Sequence, residues 1–413
     1  MTIPGQVPDS EDIPNYRWVV MGLYNACYTT GGMFTFTLGL LLPAISADLN
    51  LSPSQQGLLS SSAFWGNLAL GVPMTWWVSR YRVKRLTMVA FALCALFFFI
   101  QGWAPVFAVL LAGRLLFGIS RLASQPARAL LTTQWFAVRE VVLATTFDNA
   151  LFGLIFGAGF LTTPFLLKSL GNDWRMTLNI YGAVLAAFTL LWMLLGRERV
   201  TAEYRRQEVP REAGLLRGAL MYRDLWIAGL GFMGTTMAVT AFFSFFPTLM
   251  LDSYGVSLQW SGGILALTHV IGGASGLGFG YFIFVGGKRN HLLVVLGLLL
   301  AITYMGMTLT GSLPLLLVLA CINGIAWGYW PTLAMVPFQL PGIRPREVAV
   351  ANTFTVTMTS AGFMLGPLVT GFLQDALGDL RLSLIILSFT ALSLTAAGLL
   401  LRAPQSRQVP STL

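Results

Sequence analysis

Long apolar runs, separated by short polar joints, set the pattern of this chain. They occur at roughly 18–45, 56–79, 86–103, 106–134, 141–167, 175–196, 225–250, 259–285, 291–310, 313–338, 348–374 and 381–401. A helix crossing the hydrocarbon core needs about 20 mostly apolar residues. The pattern therefore predicts twelve membrane-spanning helices. The joints carry turn chemistry: Ser52-Pro53-Ser54, Gly102-Trp103-Ala104-Pro105, Gly286-Gly287, Gly311-Ser312 and Pro341-Gly342. One connection differs. From Arg197 to Arg223 the chain is polar, with Glu and Arg intermixed, and it separates two sets of six. The expected division is a six-helix bundle over 1–196, a linker over 197–223 and a second six-helix bundle over 224–413. Met1 to Asn15 is polar and acidic, with no basic stretch before a short apolar one, so no cleavable leader is expected.

The chain also repeats itself. Arg139-Glu140-Val141-Val142-Leu143-Ala144-Thr145-Thr146-Phe147 reappears, displaced by 207, as Arg346-Glu347-Val348-Ala349-Val350-Ala351-Asn352-Thr353-Phe354. Pro43 and Asp48 recur as Pro247 and Asp252, displaced by 204. Leu51-Ser52 through Gly57 echoes Val256-Ser257 through Gly262, displaced by 205, and Lys84-Arg85 echoes Lys288-Arg289. Chance similarity between apolar helices does not hold register through polar loops. The reading is a duplicated six-helix unit. An even number of spans per unit gives both copies the same topology, a parallel repeat about an axis along the membrane normal.

Composition agrees with the apolar pattern. Apolar residues make up 56% of the chain and charged ones 10%, and mean hydropathy is +0.73. A soluble domain carries about 25% charged residues. The net charge of +9 forms no continuous basic face, so nucleic acid is not an expected partner; the lipid bilayer is. With the N-terminus placed in the cytoplasm, nineteen Lys and Arg fall on that side and three, Lys168, Arg175 and Arg381, on the other. That asymmetry predicts a multi-pass protein of the cytoplasmic membrane with both termini inside the cell. Cys27, Cys94 and Cys321 lie in apolar runs and read as small core residues. No Cys/His cluster has metal-ligand spacing and no G-x-x-x-x-G-K-[ST] is present, so neither cofactor, metal nor ATP drive is expected. Two histidines and no convincing nucleophile–base set argue against an enzyme.

Local motifs then point to a family. Ser79-Arg80-Tyr81-Arg82-Val83-Lys84-Arg85 is similar to the D-R-x-G-R-K loop between helices two and three of the major facilitator superfamily. Arg114 and Gly118 match its R-x-x-x-G in helix four. Twelve spans, two parallel repeats and a long central loop resemble that family across the whole chain. The run from Gly118 to Trp174-Arg175, with Pro126-Ala127, Trp135-Phe136 and Arg139-Glu140, resembles its organic-anion-transporting branches most. Departures are visible. Ser79 stands where an acid is usual and Arg82 where glycine is, so the latch built from Arg80, Lys84 and Arg85 differs. Helix five has Gly157-Ala158-Gly159, not the G-P pair of drug antiporters, and helices two and eight lack the arginines of nitrate porters. The resemblance implies alternating access: two halves rocking around a central site lined by helices one, four, seven and ten.

The candidate chemistry lies in helix four. Arg114, Arg121 and Arg128 recur every seven residues, on one helix face, with Gly118 and Gln125 between them. Each costs about 2.5–3.5 kcal/mol at the bilayer centre, so the stripe must face water or polar partners. One acid lies at depth, Asp148 in helix five. It is 11 residues beyond the turn near Ala137 and Arg128 is 9 before it, so the two share a depth and can pair. Three cations against one anion leave a surplus of two positive charges, which points to an anionic cargo, a small carboxylate. The second half has dropped these charges: Asp148 corresponds to Thr355, and Arg121 to Ala326 or Trp327. It offers Asn323, Trp327 and Trp330 on one face of helix ten. Helix one offers Tyr24 and Tyr28 on a shared face beside Asn25.

Each residue has a plainer reading. Arg114 bonds backbone carbonyls. Arg128 snorkels toward the membrane surface. Arg121 belongs to a static network. Asp148 is a fixed counter-ion, His269 in helix eight a packing residue, and the Trp and Tyr residues pack helices. In the functional reading, Arg121, Arg128, Tyr24, Asn25, Tyr28, Asn323, Trp327 and Trp330 bind substrate, Asp148 or His269 exchanges protons, and Arg114 and Gly118 shape the gate. The function expected is a monomeric secondary transporter that moves a small organic anion together with protons. The alternative is a proton-driven exporter of drugs or hydrophobic metabolites, which 16 adaptable Met residues favour. Helix one has no acidic residue where such antiporters often carry one.

Overall fold

The computed structural model describes residues 15–78, 82–136, 140–198, 218, 220–340, 343 and 345–402. Among the described residues twelve spans are formed. Span one is Tyr16–Phe36 continued by Leu38–Leu49 across a 47° bend. Spans two and three are Pro53–Val78 and Val83–Gly102. Span four is in two pieces, Phe107–Arg121 and Ser124–Trp135. Spans five and six are Val141–Ser169 and Trp174–Leu195. Spans seven, eight and nine are Arg223–Tyr254, Leu258–Phe284 and Arg289–Leu309. Span ten is again in two pieces, Leu313–Trp327 and Tyr329–Ala334. Span eleven is Pro345–Leu377, and span twelve joins Leu380–Ser388 to Leu392–Leu400 through a short 3₁₀ turn. Among the described residues nine helical stretches are long and apolar enough to cross a membrane, ten when bent span one is counted as one. Span two and the arginine-bearing span four complete the two sets of six. Arg80 and Arg139 lie outside the described residues.

The side chains left facing outward are those a lipid solvent tolerates. Leu194 is 70% exposed, and Val89, Leu154, Phe165 and Ile302 are exposed as well. In water such a surface would aggregate; in hydrocarbon it costs nothing to leave uncovered. The polar joints still cap helices locally. Asp173 accepts the Met176 N–H at 3.0 Å to start span six, and Gly255, at φ 64°, ends span seven.

Two ends of the bundle can be told apart. At the end holding Tyr16, Leu195, Arg223 and Leu400, here the terminal end, contacts close each set of six on itself. Tyr16 donates to the Leu195 carbonyl at 2.6 Å, and Arg17 pairs with Glu140 at 2.8 Å. In the second set, buried Arg289 donates to Gln339 and, at 2.9 Å, to the Arg402 carbonyl. Asn290 donates to the Leu401 carbonyl at 2.6 Å.

At the opposite end, here the far end, the two sets meet. A methyl group added at Gly57 in span two would stand 2.5 Å from the Pro367 carbonyl oxygen of span eleven. One added at Gly262 in span eight would stand 2.7 Å from the Pro164 ring of span five. These two crossings are copies of each other. Gly57 maps onto Gly262 by 205 residues, and Phe160 and Pro164, which approach Gly262, map by 207 onto Pro367 and Gly371, which approach Gly57. Beside them the Ser54 N–H donates to Asp375 at 3.0 Å and Gln259 to the Pro164 carbonyl at 3.5 Å. The far end is thus closed by a twofold pair of backbone crossings that only glycine allows, and deeper in the bundle Gly39 of span one crosses span seven, where an added methyl would stand 2.9 Å from the Ser244 Cα.

Candidate functional site

The site is built where span one bends and span four breaks. Pro43 inside span one removes one backbone donor, and its ring crowds the Gly39 carbonyl one turn earlier. The helix bends at Thr37, which accepts the Leu40 N–H at 3.0 Å. Arg114 covers backbone left exposed by this geometry. It donates to the Thr35 carbonyl at 2.7 Å and to the Leu59 carbonyl of span two at 3.1 Å, and it is 1% exposed. Arg114 therefore holds spans one, two and four together. Gly118, one turn on, lets span four cross span two, because an added methyl would stand 2.9 Å from the Ala63 Cα.

Span four stops at Arg121 and resumes at Ser124. The Ser124 hydroxyl donates back to the Arg121 carbonyl, and the Tyr24 hydroxyl of span one donates to the Ser124 carbonyl. Two side chains thus satisfy carbonyls at the break, as a membrane interior requires. The cost is Tyr24 itself. It is 0% exposed and serves this break, packed against Tyr28, Phe91 and Trp192.

Arg121 lies against the Gly31–Gly32 pair of span one. A methyl at Gly32 would meet its Nη2 at 3.1 Å. Its Nη1 donates to the Thr35 hydroxyl at 3.1 Å, and that hydroxyl donates to the Gly31 carbonyl at 2.9 Å. Its guanidinium stands 5.6 Å from the Tyr28 ring and 5.9 Å from Phe117. Among the described residues Arg121 pairs with no carboxylate. Arg128 stands 5.6 Å from the same Tyr28 ring. It is neutralised by Asp148, at 3.0 Å from Nη2 and 3.3 Å from Nε. Asn25 donates to the other Asp148 oxygen. Tyr28 is half-buried between two guanidinium groups, one paired and one not.

The three arginines therefore do not form one continuous stripe. The break after Arg121 puts Arg128 on a separate helical piece. Span ten breaks at the matching place: Trp327 ends its first piece, 206 residues after Arg121, and Trp330 lies on the second. The single face expected for Asn323, Trp327 and Trp330 does not form for that reason. Asn323 is 0% exposed and donates to Thr303 of span nine at 2.7 Å, away from span one. Trp327 donates to Tyr304 at 2.9 Å and lays its ring 5.6 Å from Phe243. Trp330 stacks 6.3 Å from Phe363 of span eleven.

His269 lies inside a cage of rings. Phe160 and Phe243 stand 4.9 Å away, Trp327 5.4 Å and Phe156 5.6 Å, and Nδ1 faces the Leu265 carbonyl at 3.2 Å. The cage joins span five to spans seven, eight and ten. Lys84 and Arg85 start span three at the terminal end, one half-buried and one exposed, where Glu198 accepts the Val83 N–H at 3.0 Å. The residues missed from sequence are Thr35, the Gly31–Gly32 notch and the rings of Phe36, Phe156 and Phe363. The adjacent glycines were the one legible signal for close approach.

The structural role of Arg114 has a direct consequence. Arg114→Leu is expected to orphan two buried carbonyls, each worth about 1–3 kcal/mol. Thermal denaturation in detergent should show a clear downward shift for this variant, with poor recovery of folded protein.

Comparison with known proteins agrees with this architecture. Residues 24–343 match the model of the Major Facilitator Superfamily. The "Probable galactarate/D-glucarate transporter GarP" of Escherichia coli K12 is 24% identical, over 86% of this chain and 88% of that protein. The "Nitrite extrusion protein" of Bacillus subtilis is 22% identical, over 92% and 93%. A solved bacterial homologue of the human lysosomal transporter Spinster, inward-facing and unoccupied, superposes with a TM-score of 0.76 at 17% identity, over 95% and 98%. At that identity the superposition speaks for the fold alone. With twelve helical spans, two repeated sets of six and a family match over most of its length, the chain belongs to the Major Facilitator Superfamily and is a multi-pass membrane transporter, not an enzyme.

Proposed function

We propose that this protein is a secondary active transporter that carries a small organic anion by alternating access, with Arg121 as the anion's partner and Asp148 as the proton-exchanging group. The observation that carries the reading is the imbalance around Tyr28. Arg128 has a carboxylate, whereas Arg121 has only a threonine hydroxyl and ring faces. A guanidinium held inside a membrane protein without an anion is costly unless a cargo supplies one. Relatives named for galactarate/D-glucarate and for L-galactonate fit an anionic cargo.

The sets 1–196 and 224–413 act as the two rocking bodies, joined by 197–223. With the far end closed, the path opens toward the terminal end. The Lys and Arg asymmetry supports a cytoplasmic terminal end, and with it an inward-facing conformation in the cell membrane. Each chain holds a whole site between its own spans, so a monomer suffices. An excess cation also disfavours lipophilic cations as cargo.

The test is counterflow in proteoliposomes against a panel of aliphatic, sugar-derived and aryl carboxylates. Arg121→Ala is expected to lose uptake of every anion the native protein carries by about 100-fold, an interaction of about 2.7 kcal/mol. Its yield and monodispersity should match the native protein, because Arg121 bonds only one side chain. Native-level counterflow by Arg121→Ala overturns the assignment.

A further inference from the structure

The rings beside Arg121 form a connected floor. Phe36 of span one is 5.6 Å from Phe64, Phe156 and Phe363 alike, which come from spans two, five and eleven, and it meets Phe363 edge to face at 79°, so a flat ring stacks on Phe363 with Phe36 at its edge. Trp330 extends the floor, nearly parallel to Phe363 at 13°. Phe36, Phe363 and Trp330 each keep partial exposure although they lie between the two sets. The Gly32 notch brings the cation to the rim: a methyl there would stand 3.1 Å from Arg121 Nη2 and 3.2 Å from the Phe156 ring. One charged donor thus stands at the edge of an aromatic surface built from both sets.

Four hydroxyl side chains of spans seven and eleven are already committed as donors. Thr236, Thr240, Thr355 and Thr359 each donate to a carbonyl one turn back in their own helix, at 2.7 to 3.1 Å. Asn323 serves Thr303. A polyhydroxylated sugar acid would place several hydroxyls against rings, and each buried hydroxyl without a partner weakens binding. A flat cargo with one carboxylate meets the floor by stacking and Arg121 by a charge-assisted hydrogen bond.

We infer that the cargo is an aryl carboxylate, its carboxylate on Arg121 and its ring on the Phe36–Phe363–Trp330 floor. The inference rests on the reading of Arg121 given above and narrows it against the sugar acids named for the relatives. The experiment is calorimetric titration of the purified full chain with benzoate, 4-hydroxybenzoate, cyclohexanecarboxylate and D-galactarate. Benzoate or 4-hydroxybenzoate is expected to bind about tenfold or more tightly than cyclohexanecarboxylate or galactarate, the gain of one or two ring contacts. Phe363→Leu and Trp330→Leu keep most of the volume and remove the ring face. Each is expected to weaken aryl binding by about tenfold while cyclohexanecarboxylate changes little, so loss of folding is distinguished from loss of stacking. Galactarate binding more tightly than both aryl acids, and lost in Arg121→Ala, overturns the aryl assignment and leaves Arg121 in place. Anion binding that survives Arg121→Ala overturns both. Binding of no anion on the panel also overturns the aryl assignment.

Discussion

A chain carrying Gly57→Leu and Gly262→Leu together is expected to lose uptake by about 100-fold or more while remaining folded. A cysteine placed at Ser54, half-buried at the far end, should become more reactive toward a membrane-impermeant maleimide in the same variant. The reason is the twofold pair of crossings. Added methyls at these glycines would stand 2.5 Å from the Pro367 carbonyl and 2.7 Å from the Pro164 ring, well inside contact distance. Neither neighbour can swing aside, since one is backbone and the other a proline in a long helix. Overpacking of this kind costs about 1–3 kcal/mol per site in a rigid core. The clash is relieved here because the two partners belong to different sets of six, which separate as bodies. Moving a two-state equilibrium from 1:99 to 99:1 takes about 5.5 kcal/mol, so both crossings must be broken to hold the far end open. Either single variant keeps one crossing and should show an intermediate loss. Gly118→Leu is the control. Gly118 crosses Ala63 within the first set, where no body can move away, so that variant should fail to fold and not change state. Maleimide reactivity at Ser54→Cys that is unchanged in the double variant would rule out the crossings as the seal.

The spans, the division into two sets and the duplication are legible in the sequence because each is written by a local rule: run length, joint chemistry, constant offset. The pairing of Arg128 with Asp148 is legible too, since two residues equidistant from one hairpin turn share a depth whatever the details. The breaks are marked only by a proline in each span: Pro126 has no N–H to give the Leu122 carbonyl, and what satisfies the interrupted backbone comes from elsewhere. The Tyr24 hydroxyl reaches Ser124 from span one, and Arg114 reaches Thr35 from span four. A rule that reads one segment at a time assigns Tyr24 to the site, since it shares a face with Tyr28. The fold then uses it to mend the break. Trp330 shows the converse. The interruption at Gly328 turns it away from the face it would share with Asn323 on a straight helix, and sets it against Phe363. The offset of 205 residues carries Pro126 onto Pro331, which has no N–H to give the Trp327 carbonyl, so spans four and ten give way at the same place.

Asp148→Asn is expected to abolish accumulation driven by an imposed proton gradient, by about 100-fold, while counterflow exchange of the same anion persists. The substitution keeps the shape and the contact with Asn25, and removes the charge that neutralises Arg128. With Asp148 ionised, the group formed by Arg121, Arg128 and Asp148 carries one net positive charge; with Asp148 neutral it carries two. The two guanidinium groups face one Tyr28 ring from 5.6 Å each, so the second charge is felt where the first is proposed to bind the anion. On the proposed assignment a proton on Asp148 strengthens anion binding, and by linkage the anion strengthens proton binding, which is the coupling a symporter needs. In Asp148→Asn the site is fixed in its doubly positive form. It still binds and exchanges anion, but the proton no longer has a seat, and net uphill movement stops. A fixed counter-ion makes a different forecast. If Asp148 only neutralises Arg128, then Arg128→Gln combined with Asp148→Asn removes both charges, leaves the net charge as in the native site and restores gradient-driven accumulation. If Asp148 carries the proton, the double variant stays exchange-only. Accumulation by the double variant at the native rate would return Asp148 to a purely static role and require the coupling group to be sought elsewhere.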